Sequence, residues 1–133
     1  MRRTEGGAGC GRVMVLDASA LLAFLQNEPG ADAVRGLLGP DARCGAANWA
    51  EAAQKVRRRS ADWSLASALL DNWGLTVEPV TRADAEWAAA RWRPSENLSL
   101  GDRLCLALGE RLDAVIWTAD REWDGLDRVR LIR

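Results

Sequence analysis

The sequence contains no histidine and no tyrosine, and Lys55 is its only lysine. The missing histidine removes the commonest general base and every Ser–His–Asp arrangement. Any catalysis must therefore rest on Asp, Glu, Ser, Thr, Cys, the one Lys or a metal ion. No apolar run approaches the roughly 18 residues that suggest a membrane span, so no membrane association is expected. The three cysteines, Cys10, Cys44 and Cys105, are odd in number and lack the Cys-x-x-Cys spacing of a metal site. Cys44 and Cys105 sit among apolar residues and read as small core side chains in a reducing cytoplasm. The net charge of −1 excludes a polycation drawn to nucleic acid by charge alone.

What is present fits one soluble domain: 133 residues, 48% hydrophobic and 28% charged, are enough for a real core. Residues 1–12 hold four glycines and several charges with no apolar segment, which is unlike a secretory signal. They read as a loose, disordered tail, with Met14 an alternative start and the folded domain at 13–133.

The chain is organised around Arg12-Val-Met-Val-Leu-Asp17-Ala-Ser-Ala-Leu-Leu-Ala-Phe-Leu25, a short buried strand running into a helix with Asp17 at the turn. Helix, turn and strand signals then alternate. A helix is expected over 31–38, a weak strand over 42–46, and a helix from Asn48 to about Arg59. Ser60 or Asp62 opens another helix ended by Gly74. A strand over 76–80 is confined to a sheet edge by Pro79. Thr81 or Asp84 caps a helix that runs toward Pro94, and Leu100 starts one through Leu112. A buried strand at 114–117 turns at Thr118-Ala-Asp120 into a short helix, and a strand at 129–132 follows. Short apolar strands alternating with helices predict a three-layer α/β domain with a short, mostly parallel central sheet.

Four acidic residues stand out: Asp17, Glu51, Asp102 and Asp120. Each has an ordinary structural explanation. Asp17 and Asp120 occupy helix starts, where Asp is a favoured cap. Asn48-Trp-Ala-Glu51 and Ser99-Leu-Gly-Asp102 both fit capping boxes. Taken together their positions say more. Asp17 and Asp120 follow buried strands, and in a parallel sheet all such exits share one edge, as do the starts of the helices that follow. Two unit charges about 4 Å apart cost about 4 kcal/mol at an effective dielectric of 20, so a cluster of four needs protons or divalent cations. Mg²⁺ or Mn²⁺ suits an all-oxygen site.

Val-Leu-Asp17-Ala-Ser-Ala-Leu-Leu-Ala, Asn48-Trp-Ala-Glu51, Ser99-Leu-Gly-Asp102-Arg and Thr118-Ala-Asp120-Arg-Glu-Trp, in this order, resemble the PIN-domain ribonucleases. Their spacing is most similar to the VapC-type toxins of toxin–antitoxin pairs. The resemblance implies a PIN-like α/β/α sandwich with Asp17, Glu51, Asp102 and Asp120 as the acidic metal-binding set. It also implies cleavage of an RNA substrate with Mg²⁺ or Mn²⁺, inhibition by a cognate antitoxin protein, and a homodimer. Hydrolysis by a metal-activated water needs no protein nucleophile, in keeping with the absence of histidine.

Around this set, Ser19 and Thr118 can hydrogen-bond the carboxylates or a phosphate, or simply their own turns. Asn48 reads as a helix cap first. Arg103 and Arg121 stand beside two of the acids and are candidates for phosphate binding. The basic run Lys55, Arg57, Arg58, Arg59 is either a second such group or a helix end matched to its dipole. Seven tryptophans could suggest base stacking, but most fall on apolar periods and read as packing, with Trp123, just past Asp120, the one to test. Two other readings stay open. An aspartyl-phosphate phosphotransferase could use Asp17 as nucleophile, although Ser19 stands where a second Asp is wanted. A non-catalytic partner-binding module could retain the caps and hold no metal.

Overall fold

Val15 and Leu16 are both fully buried, so the first strand has no solvent-facing side and belongs in the middle of a sheet. In the computed structural model, which describes residues 13–133, that strand is β1 (Met14–Leu16). The expected tail at 1–12 lies outside the described residues. β1 is followed by α1 (Ala18–Leu25), α2 (Ala31–Leu37), β2 (Ala42–Gly45), α3 (Ala46–Arg58) and α4 (Trp63–Asn72). Then come β3 (Thr76–Glu78), α5 (Arg82–Ala90), α6 (Leu100–Leu112), β4 (Val115–Thr118), a 3-10 turn at Arg121–Trp123, and β5 (Val129–Leu131).

The five strands lie in the order β3-β2-β1-β4-β5, and every pairing is parallel. Alternation along the strands splits the core into two layers. Leu16, Ala42 and Cys44 face one way and pack with Leu21, Val34, Ala52 and Leu70 of the first four helices. Val15 and Ile116, paired in register, face the other way onto Cys105, Leu106 and Leu108 of α6. The result is the expected α/β/α sandwich.

Local signals explain most element boundaries. Asp62 caps α4 through the Leu65 amide, and Thr81 with Asp84 forms the capping box of α5. Ser99 and Asp102 form that of α6. Gly74 ends the α4 segment at φ +97°, pressed so close to Gly39 that a Cβ would lie 2.8 Å from the Gly39 carbonyl carbon. The tryptophans Trp49 and Trp63 meet edge to face at 4.9 Å, and Trp73 meets Phe24 at 5.6 Å, which gives four of the aromatics packing roles.

One boundary departs from expectation. α3 starts at Ala46 directly off β2, with Gly45 at the cap position and no side-chain cap bond. Asn48 is therefore inside the helix, 1% exposed, and free to serve something other than a helix end.

The sheet order places a topological switch between β1 and β4. From β1 the chain moves outward to β2 and β3, and it returns to add β4 and β5 on the other side. The crevice outside the carboxyl ends of two such strands is where open α/β sheets hold ligands.

Candidate active site

Asp17 leaves β1 at that crevice and Thr118 ends β4 beside it. Asp17 caps α1, its Oδ1 accepting the Ala20 amide at 2.9 Å and the Ser19 hydroxyl at 2.7 Å. Its Oδ2 accepts the Thr118 hydroxyl at 2.6 Å. Ser19 Oγ also lies 3.1 Å from Thr118 Oγ1 and accepts the Ala119 amide, while Thr118 Oγ1 accepts the Asp120 amide at 3.0 Å. The two strand exits are thus tied by a hydroxyl network with Asp17 at its centre. Burial is the dominant influence on that carboxyl and pushes it up to about 6, against the opposing pull of these hydrogen bonds. The charge of Asp102 pushes the same way as burial.

Glu51 projects from the second turn of α3. Its Oε1 accepts the Asn48 amide at 2.8 Å, and the same Asn48 nitrogen reaches the Gly101 carbonyl at 3.3 Å. Asn48 therefore orients Glu51 and fastens α3 to the start of α6. Its Oδ1 is buried with no partner among the described residues. Gly101 has a steric reason to be glycine: a Cβ there would stand 2.8 Å from Glu51 Oε2. Asp102, the next residue, uses Oδ2 to accept the Ser99 amide in its capping box. Asp120 caps the 3-10 turn by accepting the Glu122 amide on Oδ1.

All four acids line one cavity of about 110 Å³, with Ser19, Asn48, Lys55 and Trp123. The structure thus brings together Asp17, Glu51, Asp102, Asp120, Ser19 and Asn48, with Thr118 hydrogen-bonded beneath. Each cap bond leaves acceptor capacity on its carboxylate, so being a helix cap and being a cation ligand are compatible roles.

The donor set is all oxygen, and its carboxylates do not yet close on a point: among the described residues no three acidic, cysteine or histidine side chains form a ready single-ion nest. Spread carboxylates around a small polar cavity fit a hard cation that keeps some of its own waters better than one caged by protein alone. Asn48, whose Oδ1 is buried without a partner among the described residues, is one of the residues lining the cavity.

Three expectations need correction. Arg103 turns away from the cavity, donating from Nη1 to the Ala88 carbonyl at 2.7 Å, so it ties α6 to α5. Trp123 is 1% exposed and belongs to the core under the cavity, which rules it out as a stacking platform. Asn48 is no helix cap but the partner of Glu51. Arg121 is exposed and donates to the main-chain oxygen of Arg133 at 2.9 Å. Gly101 was not singled out in the sequence. A glycine inside the first turn of an otherwise strong helix was the available signal.

A family model described as the PIN domain matches residues 14–129. A VapC ribonuclease of Mycobacterium bovis and ribonuclease VapC42 of Mycobacterium tuberculosis are each 32% identical over 108 residues, covering 73% of this chain and 82% of theirs. Among solved structures, a toxin–antitoxin complex from Klebsiella pneumoniae superposes with a TM-score of 0.73 at 16% identity, covering 90% of this chain and 98% of that one. The PAE2754 protein of Pyrobaculum aerophilum superposes with a TM-score of 0.57 at 20% identity, covering 98% and 89%. At those identities the structures speak for the fold alone, whereas the family match runs through the β1 strand, the switch point and the acids around it. The chain belongs to the PIN-domain family, among its VapC-type members.

Proposed function

We propose that this protein is a metal-dependent endoribonuclease acting as the toxin of a toxin–antitoxin pair. The observation that carries the reading is the meeting of Asp17, Glu51, Asp102 and Asp120 in one cavity at the sheet's switch point. Its relatives in the mycobacteria are named as ribonucleases, which supports RNA as the substrate.

Asp17, Asp102 and Asp120 would hold one or two Mg²⁺ or Mn²⁺ ions, with Glu51 reaching them directly or through water. When bound, such a cation supplies Lewis acidity, acidifying water and offsetting charge on the phosphate oxygens. The chain's own contribution is positioning. Thr118 and Ser19 fix the plane of the Asp17 carboxylate, and burial raises the cost of its charge. Asn48 aims Glu51 across the cavity from α3. Asp102 and Asp120 enter from the first turn of α6 and from the turn that follows β4. Hydrolysis of this kind requires no protein nucleophile, which agrees with the absence of histidine.

A cognate antitoxin is the protein partner, by analogy with the toxin–antitoxin complex that shares the fold. The exposed apolar face of α4, with Leu65 69% and Leu69 40% exposed, supplies surface for a protein partner. We place the protein in the cytoplasm as a homodimer. No helix among the described residues is long and apolar enough to cross a membrane.

The test is cleavage of single-stranded RNA with Mg²⁺ or Mn²⁺, with Asp17→Asn as the control. Cleavage should require the metal and fall by about 100-fold or more in the variant, the scale seen when one stabilising group is removed from a reaction centre. Cleavage that survives Asp17→Asn, or that needs no metal, overturns the assignment. A parent protein inactive on a broad RNA panel while still binding a protein partner would favour the non-catalytic module.

A further inference from the structure

The acidic cavity opens beside a larger groove of opposite character. This groove, of about 450 Å³, is lined by Lys55, Arg58, Arg59 and Arg133, with Glu28 the one acidic side chain among its lining residues. Ser19 and Lys55 line both spaces, so the two are contiguous.

The placement follows from α3. Asn48, Glu51, Lys55, Arg58 and Arg59 recur at helical spacing along one face, with the acid partners at the cavity end and the cations at the other. At 1.5 Å per residue, Arg59 lies about 12 Å along the axis from Glu51. Arg57, on the same turn, is exposed but does not line the groove. Among the described residues Lys55, Arg58 and Arg59 form no ion pair, in contrast to Arg111 and Arg128 elsewhere in the fold. Arg133 is held in place by donating to the Pro29 carbonyl at 2.8 Å.

A run of cations at a helix C-terminus can serve the helix dipole alone. That explanation treats Arg57, Arg58 and Arg59 alike and does not account for a concave groove gathering Arg133 from the far end of the chain. We infer that the groove is a phosphate track: Lys55, Arg58, Arg59 and Arg133 hold the backbone of the RNA strand that runs away from the cleaved bond. The inference rests on the ribonuclease reading and adds where the substrate lies. Lys55, shared by both spaces, stands between the acidic cavity and the track. No aromatic side chain lines the groove, so it grips charge and does not stack bases. It contributes affinity without sequence preference.

The test uses Asp17→Asn protein, so that RNA stays intact, and two fluorescent single-stranded RNAs of unrelated sequence. Binding is followed by anisotropy across a salt series. Adding Arg58→Gln with Arg59→Gln should weaken both RNAs equally, by about tenfold or more. It should also lower the salt slope by about 1.4, at about 0.7 for each single-strand phosphate that no longer has a cation against it. Adding Arg57→Gln, with its equal charge change per residue, should leave affinity within about twofold. These residues are exposed on the helix surface, and an unchanged melting temperature checks that the fold survives. An Arg57→Gln loss as large as half the double variant's loss on a logarithmic scale, a loss confined to one sequence, or unchanged binding in the double variant overturns the track. If the parent cleaves RNA in any of those cases, the ribonuclease reading stands and only the track falls. If the parent neither binds nor cleaves RNA, the ribonuclease reading itself fails.

Discussion

Asp17 and Asp84 are the two carboxylates that the described part of the fold buries, 5% and 4% exposed, and both serve helix starts. Their surroundings differ in one respect. Burial acts upward on both carboxyls, but Asp84 meets the Arg111 guanidinium at 3.0 and 3.3 Å and the Thr81 amide, which together hold it below the ordinary Asp value. Asp17 receives only hydroxyls and an amide and is pushed up to about 6. One carboxylate is completed by a cation from its own chain. The other faces a cavity with three more carboxylates. The contrast separates an acid closed by an ion pair from one that forms none among the described residues and shares its cavity with Lys55.

The hardest way to break that comparison is to remove the internal cation. Arg111→Met leaves Asp84 buried with its charge uncompensated and should cost about 2–3 kcal/mol at neutral pH. That corresponds to a drop in melting temperature on the order of 10 °C by calorimetry. The depressed Asp84 value means its ionic contribution is present above the unfolded value of 3.8 and fades as pH falls through the lower folded value. The penalty of Arg111→Met should therefore shrink in acid. A variant as stable as the parent at pH 7.5 would show that the pair compensates nothing.

The opposite sign is expected at Asp17. Between the unfolded value of 3.8 and the folded value of about 6, the native chain holds a proton that the unfolded chain has released. Stability therefore falls as pH rises through that window and stays reduced above it. At about 1.36 kcal/mol per pH unit the cost reaches at most about 3 kcal/mol. Asp17→Asn should remove it, leaving a net gain of about 1–2 kcal/mol at pH 7.5 once the rearranged Ser19 and Thr118 hydrogen bonds are counted. The gain should disappear near pH 3.5. Millimolar Mg²⁺ or Mn²⁺ should raise the melting temperature of the parent at pH 7.5 and leave that of the variant unmoved. An Asp17→Asn protein less stable than the parent at neutral pH, or one equally stabilised by metal, would remove the distinction between the two aspartates.

The sequence allowed the positions of these two residues to be read more easily than their roles. Short apolar strands ending at Asp17 and Asp120 made the parallel sheet and its functional edge legible, because strand exits in such a sheet share one side. Caps at Asp62, Thr81 and Ser99 were legible for a local reason, since each accepts the amide three residues further along the chain. What depended on distant contacts was not legible. Asn48 looked like a cap because Glu51 follows at the right spacing, yet its partners are Glu51 and the Gly101 carbonyl on another helix. Arg103 stands next to Asp102 in the chain, but α6 turns it toward Ala88. Trp123 follows Asp120 closely and is nevertheless buried, because the 3-10 turn folds it under the cavity. The Asp84–Arg111 pair spans 27 residues, and no local pattern announces it.

The smallest expected effect on stability concerns the space beside Asp17 and separates position from stability most sharply. Asp84 is fixed by a charged partner, whereas the approach of Glu51 to the cavity depends on Gly101 having no side chain. Gly101→Ala would put a Cβ 2.8 Å from Glu51 Oε2 and 3.0 Å from its Cδ. Those atoms end a flexible side chain, so Glu51 can swing aside, and the loss of its Asn48 hydrogen bond is partly offset by alanine's better helix propensity. Stability should change by less than about 1 kcal/mol. Cleavage should nevertheless fall by about tenfold or more, since displacement of a reacting group by about 1 Å costs up to about 100-fold. A melting temperature several degrees lower with cleavage intact would mean that Gly101 serves the α3–α6 packing and that Glu51 tolerates displacement. Cleavage abolished at constant stability would mean that the acids around Asp17 are held by shape, while the one at Asp84 is held by charge.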